Sequence, residues 1–259
     1  MKWLLIFILA ITTQAHAQRK LTQEAFQVNV RPVLSGILND FYQMISLFPD
    51  FPRELISIVE QMDDFTADKE ILRSSCPRQL DEKCLETIDN VRQKLSTLQD
   101  KTQMLMGRLK PSSSAHISSL GGQRVINEFH SQLELVKGSL DNSSFLLKGK
   151  LKSKQDTYPL IRQMDELSTL ISLTLVEFIP YTYKEDFRHF YFNFVHPVQL
   201  HKSKNQNYEF LNRNINSLNF SLNLLNMNLT KRNKKTPEGM GPYLATIHNR
   251  WNSLLRYYF

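Results

Sequence analysis

The stretch that decides the fold is CLETIDNVRQKLSTLQDKTQMLMGRL, residues 84–109. Its core-type positions recur at alternating steps of four and three residues, which is a heptad repeat. These positions are Cys84, Ile88, Val91, Leu95, Leu98, Thr102, Leu105 and Leu109. A heptad repeat turns one stripe of an α-helix toward a partner helix. The stretch therefore predicts a long helix that packs along another one.

The same spacing recurs on both sides of this stretch. It resumes in residues 126–147 after PSSSAHISSLGG, and again in residues 160–178 and 208–229. Two such helices joined by a short polar segment form an antiparallel hairpin. We therefore expect residues 84–109 and 126–147 to pair, with residues 111–122 as the loop between them. That loop is also where a weaker alternative would split the chain into two domains.

Shorter helical patterns complete the chain in residues 26–48, 55–65 and 243–257. The predicted fold class is all-α, an antiparallel helical bundle of about seven helices with coiled-coil-like heptad pairs. We expect a single domain over residues 18–259. Proline cannot donate a backbone hydrogen bond, so we expect Pro32 near the start or at a kink of its helix. Pro180 should separate two helices, and Pro197 should end one.

The first residues, MKWLLIFILAITTQAHAQ, have the pattern of a secretory signal peptide. Lys2 precedes an apolar run over residues 3–11, and a small-x-small site follows at residues 15–17. We predict a signal peptide at residues 1–17 and export to the periplasm or outside the cell. The run is too short for a membrane span, and we expect no transmembrane helix after cleavage.

Two cysteines occur in SSCPRQLDEKC, at Cys76 and Cys84. Export would place them in an oxidising compartment, where such a pair usually forms a disulfide. A structural metal site would need four ligands, and no further Cys or His lies nearby in the sequence. We therefore predict a disulfide that fixes the start of the following helix.

The most unusual composition lies in DFRHFYFNFVHPVQLHK, residues 186–202. Read as a helix, this stretch places Phe187, Phe190 and Phe194 on one face, as in an aromatic core layer. The alternative is an apolar-ligand or lipid pocket, for which Phe187, Tyr191 and Phe192 are the candidate contacts. Metal binding would use His189 with Glu185, but two ligands do not make a site.

Two lysine-rich segments, KGKLKSK and KRNKK, carry no acidic residue. They fall between predicted helices, and an alternating bundle would bring them to the same end. We call this hypothetical surface the basic pole, a set of candidate contacts for an anionic partner. Its members are Lys148, Lys150, Lys152, Lys154, Lys231, Arg232, Lys234 and Lys235. The alternative is that both segments are solvated linkers.

No catalytic or phosphate-binding motif occurs in the chain, so we expect a binding protein rather than an enzyme, with no cofactor and no metal. A hydrolase would need a site assembled from distant residues. The net charge of +7 favours anionic partners. We expect a protein partner or self-association, and we do not expect nucleic acid. The alternative is a membrane-active or lipid-binding protein that uses the aromatic segment and the basic loops.

Overall fold

The computed structural model describes residues 23–49, 51–75, 82–108, 116–148, 158–204, 208–231 and 236–257. Eight helical segments and no strand occur in this part of the chain, so the all-α prediction is confirmed there. The eight are α1 (23–45), α2 (Glu54–Ser75), α3 (Glu82–Arg108), α4 (His116–Lys148), α5 (Tyr158–Glu177), α6 (181–204), α7 (Tyr208–Lys231) and α8 (Met240–Leu255). α4 begins inside the predicted loop 111–122, and the helix therefore includes residues 116–122.

The heptad stripe of residues 84–109 is buried along α3 throughout its described part. Thr102, a polar member of the stripe, is fully buried and donates its hydroxyl hydrogen to the Leu98 carbonyl at 3.0 Å. Thr174 does the same on α5, donating to the Leu170 carbonyl at 2.8 Å. A buried hydroxyl is tolerated where the preceding helical turn accepts its proton. Threonine at these two positions is therefore compatible with a buried face.

Two of the helices contain one π-helical turn each, at Phe26–Val30 in α1 and at Tyr191–Val195 in α6. Each π turn ends two residues before a proline, Pro32 in α1 and Pro197 in α6. A proline ring clashes with the carbonyl four residues earlier in a regular helix, and a wider turn relieves that clash. The prediction that Pro197 ends a helix is wrong, because α6 continues through this turn to residue 204. Pro180 separates α5 from α6 as predicted.

Helices α2 to α5 contact one another in a ring, which we call the charged half. α2 contacts α3, α3 contacts α4, α4 contacts α5, and α5 contacts α2. Ion pairs join neighbours, with Glu54 to Arg108 at 2.8 Å and Asp68 to Lys94 at 2.6 Å. The first residue of α2 is therefore paired with the last residue of α3, and a later residue of α2 is paired with an earlier residue of α3.

Helices α1, α6, α7 and α8 form the other part, which we call the aromatic half. α1 packs against α8 and α6, and α7 packs against α6. Ring contacts fill its interior: Phe48 meets Phe187 with centroids 5.2 Å apart, and Phe194 meets Trp251 at 5.2 Å. The Trp251 indole also donates a hydrogen bond to the Asn219 side chain, which links α8 to α7.

The two halves meet along α6. Its first part, Tyr181–Phe190, contacts α5, and its last part, His196–Lys204, contacts α2. The π turn lies between these two parts. α6 is therefore the helix at which the charged half and the aromatic half pack together.

Candidate functional site

A cavity of about 150 Å³ lies between α2, α5 and the last part of α6, where the two halves meet. Its apolar lining consists of Val59, Met62, Ile171 and Leu200. Its polar lining consists of Lys69, Asp165, Ser168, Thr169, Tyr191, His196 and Gln199. The lining is thus mixed, and a concave surface that combines apolar side chains with converging polar groups can hold a small molecule.

Lys69 is the most unusual side chain of this cavity, because it is a lysine with only 5% of its surface exposed. Its ammonium lies 2.5 Å from Oδ1 of Asp165, and Arg73 donates to Oδ2 of the same carboxylate at 3.1 Å. A buried ammonium needs such a partner, since burying a charge alone is costly. Lys69 and Asp165 both belong to the cavity lining, whereas Arg73 does not. The cavity wall therefore presents a buried ammonium whose carboxylate partner is shared with a second cation.

Ser168 and Thr169 follow Asp165 on α5 and contribute two hydroxyl oxygens. The Ser168 hydroxyl donates to the Met164 carbonyl at 2.9 Å, and the Thr169 hydroxyl donates to the Asp165 carbonyl at 3.0 Å. Because each proton is used within the helix, each oxygen can offer a ligand only an acceptor. The hydrogen-bond donors of the site therefore come from α2 and α6.

A buried relay of three polar side chains supports the α6 wall of the cavity. The Tyr191 hydroxyl donates to Oε1 of Gln199 at 3.0 Å, and Nε2 of Gln199 donates to the Tyr42 hydroxyl at 2.6 Å. All three side chains are buried. Fully paired buried networks hold their members in one arrangement. The relay therefore fixes Tyr191 and Gln199 in place and connects them to α1.

The π turn explains why Tyr191 and Gln199 can share one wall. In a regular helix, residues eight apart differ by about 80° around the axis. One extra residue in the turn reduces that difference to about 20°. The His196 backbone N–H bonds the Tyr191 carbonyl five residues earlier, as a π turn requires. Without this turn, the two side chains would lie about 80° apart around the helix axis and would share the wall less closely.

His201 lies one residue beyond the cavity lining and is 2% exposed. Its ring meets Phe26 of the first π turn edge-on, with centroids 5.6 Å apart. Burial lowers the pKa of His201 from 6.5 to about 4, because the charged imidazolium loses its hydration. The histidine is therefore neutral at neutral pH and belongs to the core of the aromatic half.

The three predicted apolar-ligand contacts have different surroundings. Tyr191 lines the cavity, Phe187 is fully buried in the core, and Phe192 is half-buried with its ring 5.4 Å from that of Tyr191. Glu185 and His189, the weak metal pair, are both exposed. Within the described ranges, no group of three or more acidic, histidine or cysteine side chains could hold a metal ion.

Only two members of the basic pole lie at described positions. Lys148 is the last residue of α4, and Lys231 is the exposed last residue of α7. The other six, Lys150, Lys152, Lys154, Arg232, Lys234 and Lys235, lie outside the described residues. Cys84 is fully buried at the start of α3, and its predicted partner Cys76 is outside them too. The disulfide stays a prediction.

Contacts of the described residues place the end of α7 beside the start of α4. Near the start of α4, a Cβ at Gly121 would lie 2.8 Å from the Glu177 carboxylate, which Lys184 also contacts at 2.8 Å. Close to the end of α7, Asn228 donates to Asp186 on the same part of α6 at 2.8 Å. The end of α7 thus lies near the start of α4. The basic pole stays a prediction, because six of its eight members lie outside the described residues.

Sequence reasoning missed six of the seven polar residues of the cavity, namely Lys69, Asp165, Ser168, Thr169, His196 and Gln199. The sequence did contain one indication of Lys69. The buried stripe of α2 runs Met62, Phe65, Lys69, Leu72, so that a lysine occupies a core-facing step. The other five lie on α5 and α6, and their position at the cavity depends on how these two helices pack against α2.

Comparisons with protein-family profiles, with curated proteins and with solved structures find no match to this chain. Among the described helices, none combines the length and the hydropathy needed to cross a membrane. The site's own geometry therefore carries the functional argument.

Proposed function

We propose that this chain is a binding protein whose ligand is a small organic anion, about the size of one aromatic ring, held in the cavity between α2, α5 and α6. The observation that carries the proposal is the buried Lys69 at the wall of a 150 Å³ cavity. An apolar cavity of that volume accommodates benzene. A small aromatic carboxylate would place its ring against the apolar lining and its charge toward Lys69.

The donors of the site favour an anion over a neutral or cationic ligand. Lys69 has three N–H donors, and Asp165 occupies part of that capacity. Arg73 also donates to the Asp165 carboxylate, so Lys69 shares the negative charge of Asp165 with a second cation. Charge-assisted hydrogen bonds are about twice as strong as neutral ones. A carboxylate should therefore bind more tightly than its amide or alcohol analogue.

The proposal keeps the chain in the class of binding proteins. Ser168 is the serine of the cavity, and its hydroxyl proton is donated to a backbone carbonyl. A serine nucleophile requires a base that accepts that proton. The lipid-binding alternative has less support, because Phe187, Phe190 and Phe194 are buried and the cavity has the volume of a ring, not of an acyl chain.

We propose an antiparallel bundle with heptad-paired helices as the arrangement of the chain. The ion pairs between α2 and α3 support it, as does the pairing of Gln132 on α4 with Glu166 on α5 beside the Gly121–Glu177 approach. A single domain, export by the signal peptide, the Cys76–Cys84 disulfide and a protein partner remain proposals that rest on the sequence.

Isothermal titration calorimetry with benzoate, benzamide and benzyl alcohol tests the proposed function. We expect benzoate to bind most tightly, and Lys69→Met to weaken its binding by about tenfold or more. The matched control is Lys184→Met, because Lys184 forms a similarly shielded ion pair, with Glu177, away from the cavity. Equal affinity of the three ligands, or equal losses in the two variants, would contradict the proposal.

A second variant guards against a general loss of folding. Ile171→Phe adds volume at the apolar wall and should exclude the ring while leaving Lys69 and Asp165 in place. We expect its helical circular dichroism to be unchanged and its benzoate binding to be lost. Retained binding in this variant would place the ligand elsewhere.

A further inference from the structure

The lining of the cavity contains a negative charge as well as a positive one. Lys69 and Asp165 both belong to it, and the ammonium lies 2.5 Å from Oδ1 of the carboxylate. A ligand carboxylate that accepts a hydrogen bond from Lys69 therefore also lies close to the like charge of Asp165. Like charges at such a separation repel each other. A ligand that is only an anion gains from Lys69 and loses part of that gain to Asp165.

The hydroxyl groups in the described lining of the cavity donate their protons within the protein. These groups belong to Ser168, Thr169 and Tyr191. The Ser168 and Thr169 protons are donated to backbone carbonyls of α5, and the Tyr191 proton is donated to Gln199. A hydroxyl whose proton is used in this way offers a ligand only an acceptor. These oxygens therefore bond a ligand only where the ligand supplies the donor.

Asp165 and Thr169 place two of these acceptors on one face of α5, four residues apart, at the cavity wall. Oδ1 of Asp165 accepts from Lys69, and Oδ2 accepts from Arg73. A carboxylate has about four lone-pair sites, so Asp165 keeps acceptor capacity for a ligand. The Thr169 oxygen adds a second acceptor one helical turn further along α5.

We propose that the ligand carries a hydrogen-bond donor besides its carboxylate, so that the site selects hydroxy- or amino-substituted aromatic acids. This inference rests on the proposed function and names the class of acid. The ligand carboxylate accepts from Lys69, and its substituent donates to the Thr169 oxygen. An amino substituent has a second N–H, which it donates to Asp165. The added hydrogen bonds offset the repulsion between the ligand carboxylate and Asp165.

The spacing of the two acceptors sets the position of the substituent on the ring. Four residues of an α-helix rise about 6 Å, which separates Thr169 from Asp165 along α5. An aromatic ring holds a meta or para substituent at a similar distance from its carboxylate, whereas an ortho hydroxyl donates to the carboxylate beside it. Thr169 is exposed and the Asp165 side chain is 46% exposed, so the cavity reaches the surface along this wall. A meta or para substituent therefore has room beyond the ring.

Isothermal titration calorimetry with benzoate and three substituted benzoates tests the inference. We expect meta-hydroxybenzoate to bind about tenfold more tightly than benzoate, because it adds one donor to the same ring. The first comparison is meta-methoxybenzoate, which has a substituent at the same position and no donor. The second is ortho-hydroxybenzoate, whose donor is used within the molecule. Neither of these two acids should show the gain.

Thr169→Val removes the acceptor and keeps the shape of the side chain. The measured quantity is the ratio of the meta-hydroxybenzoate and benzoate affinities, because a ratio cancels any general loss of binding. We expect the advantage of meta-hydroxybenzoate to disappear in this variant. The matched control is Thr97→Val on α3, since Thr97 is also exposed and donates to the carbonyl of Gln93, four residues earlier, at 3.1 Å. That variant should keep the advantage.

Two results would overturn the inference and leave the proposed function in place. One is an equal affinity of the wild type for meta-hydroxybenzoate and benzoate, with both acids weakened in Lys69→Met. The other is an advantage of meta-hydroxybenzoate that persists unchanged in Thr169→Val. Failure of all four acids to bind the wild type would contradict the proposed function, and the inference with it.

Discussion

The charged half and the aromatic half are both made of long amphipathic helices, but different side chains connect their helices. In the charged half, exposed ion pairs at the rims link neighbouring helices, as between Glu54 and Arg108. In the aromatic half, rings in the interior do so, as between Phe41 and Phe190 with centroids 5.8 Å apart. Exposed ion pairs contribute little to stability, whereas buried rings contribute several kcal/mol each. The aromatic half should therefore contain the most sensitive core positions.

We expect the largest loss of stability from Phe194→Ala in the aromatic half. Phe194 is fully buried and contacts both Phe190 and Trp251, so its loss removes two ring contacts and leaves a cavity. We expect the free energy of unfolding to fall by about 4 kcal/mol. The comparison variant is Leu98→Ala in α3, for which we expect about 3 kcal/mol. Guanidinium unfolding measures both, and a larger loss for Leu98→Ala would reverse the comparison.

The pH dependence of stability should come partly from His201 in the aromatic half. Its folded pKa of about 4 lies below the unfolded value of 6.5, so the unfolded chain binds the proton more readily. The contribution is fully present above pH 6.5 and is lost as the pH falls toward 4. Its size is at most about 3 kcal/mol.

Unfolding curves at several pH values test this assignment. His201→Leu should flatten the fall in stability over that window. His189→Leu, at an exposed position of the same helix, is the control and should leave the fall unchanged. Parallel pH profiles of the wild type and His201→Leu would remove His201 as the cause.

The ion pair of the cavity, between Lys69 and Asp165, should contribute more to stability than the exposed ion pairs at the rims. Asp165→Asn leaves the ammonium of Lys69 buried without its counter-charge, which should cost about 2 kcal/mol, since Asp165 itself is half exposed. Glu166→Gln breaks an exposed pair with Arg162 and should cost less than about 0.5 kcal/mol. Thermal and chemical unfolding measure both losses. Similar losses of stability in Asp165→Asn and Glu166→Gln would show that Lys69 is not shielded in solution.

The smallest expected effect comes from the relay that supports the cavity. Tyr42→Phe removes the acceptor of Gln199 without changing the packing volume, which should cost about 1 kcal/mol. A double-mutant cycle with Tyr191→Phe should show coupling, because both hydroxyls bond the same amide. Strict additivity of the two changes would mean that Gln199 finds other partners.

Much of the helical structure could be predicted from the sequence, because periodicity depends on local spacing. The stripe of residues 84–109 and the separator Pro180 are both where the pattern placed them. Pro197 was misread, since a proline that ends a regular helix can continue one that contains a π turn. Nothing in local propensity distinguishes the two outcomes.

The cavity was harder to predict for a different reason. Its polar residues lie on three helices, with Lys69 and Asp165 separated by 96 positions in the chain. The sequence pointed to it at two positions, the lysine of an apolar stripe at Lys69 and the predicted ligand contact Tyr191. The shared orientation of Tyr191 and Gln199 depends on the π turn, and the packing of α5 against α2 decides the rest. Contacts between residues on different helices depend on tertiary structure, and the spacing of residues along the chain does not predict them.

Native mass spectrometry of the chain, purified without detergent, shows whether the cavity between the two halves holds a small organic anion. We expect an added mass of one small molecule in the wild type and in Lys184→Met, and its loss in Lys69→Met and Ile171→Phe. Two results would contradict the proposed anion site. One is a chain that shows no added mass and also fails to bind benzoate, and the other is an added mass that persists in both cavity variants.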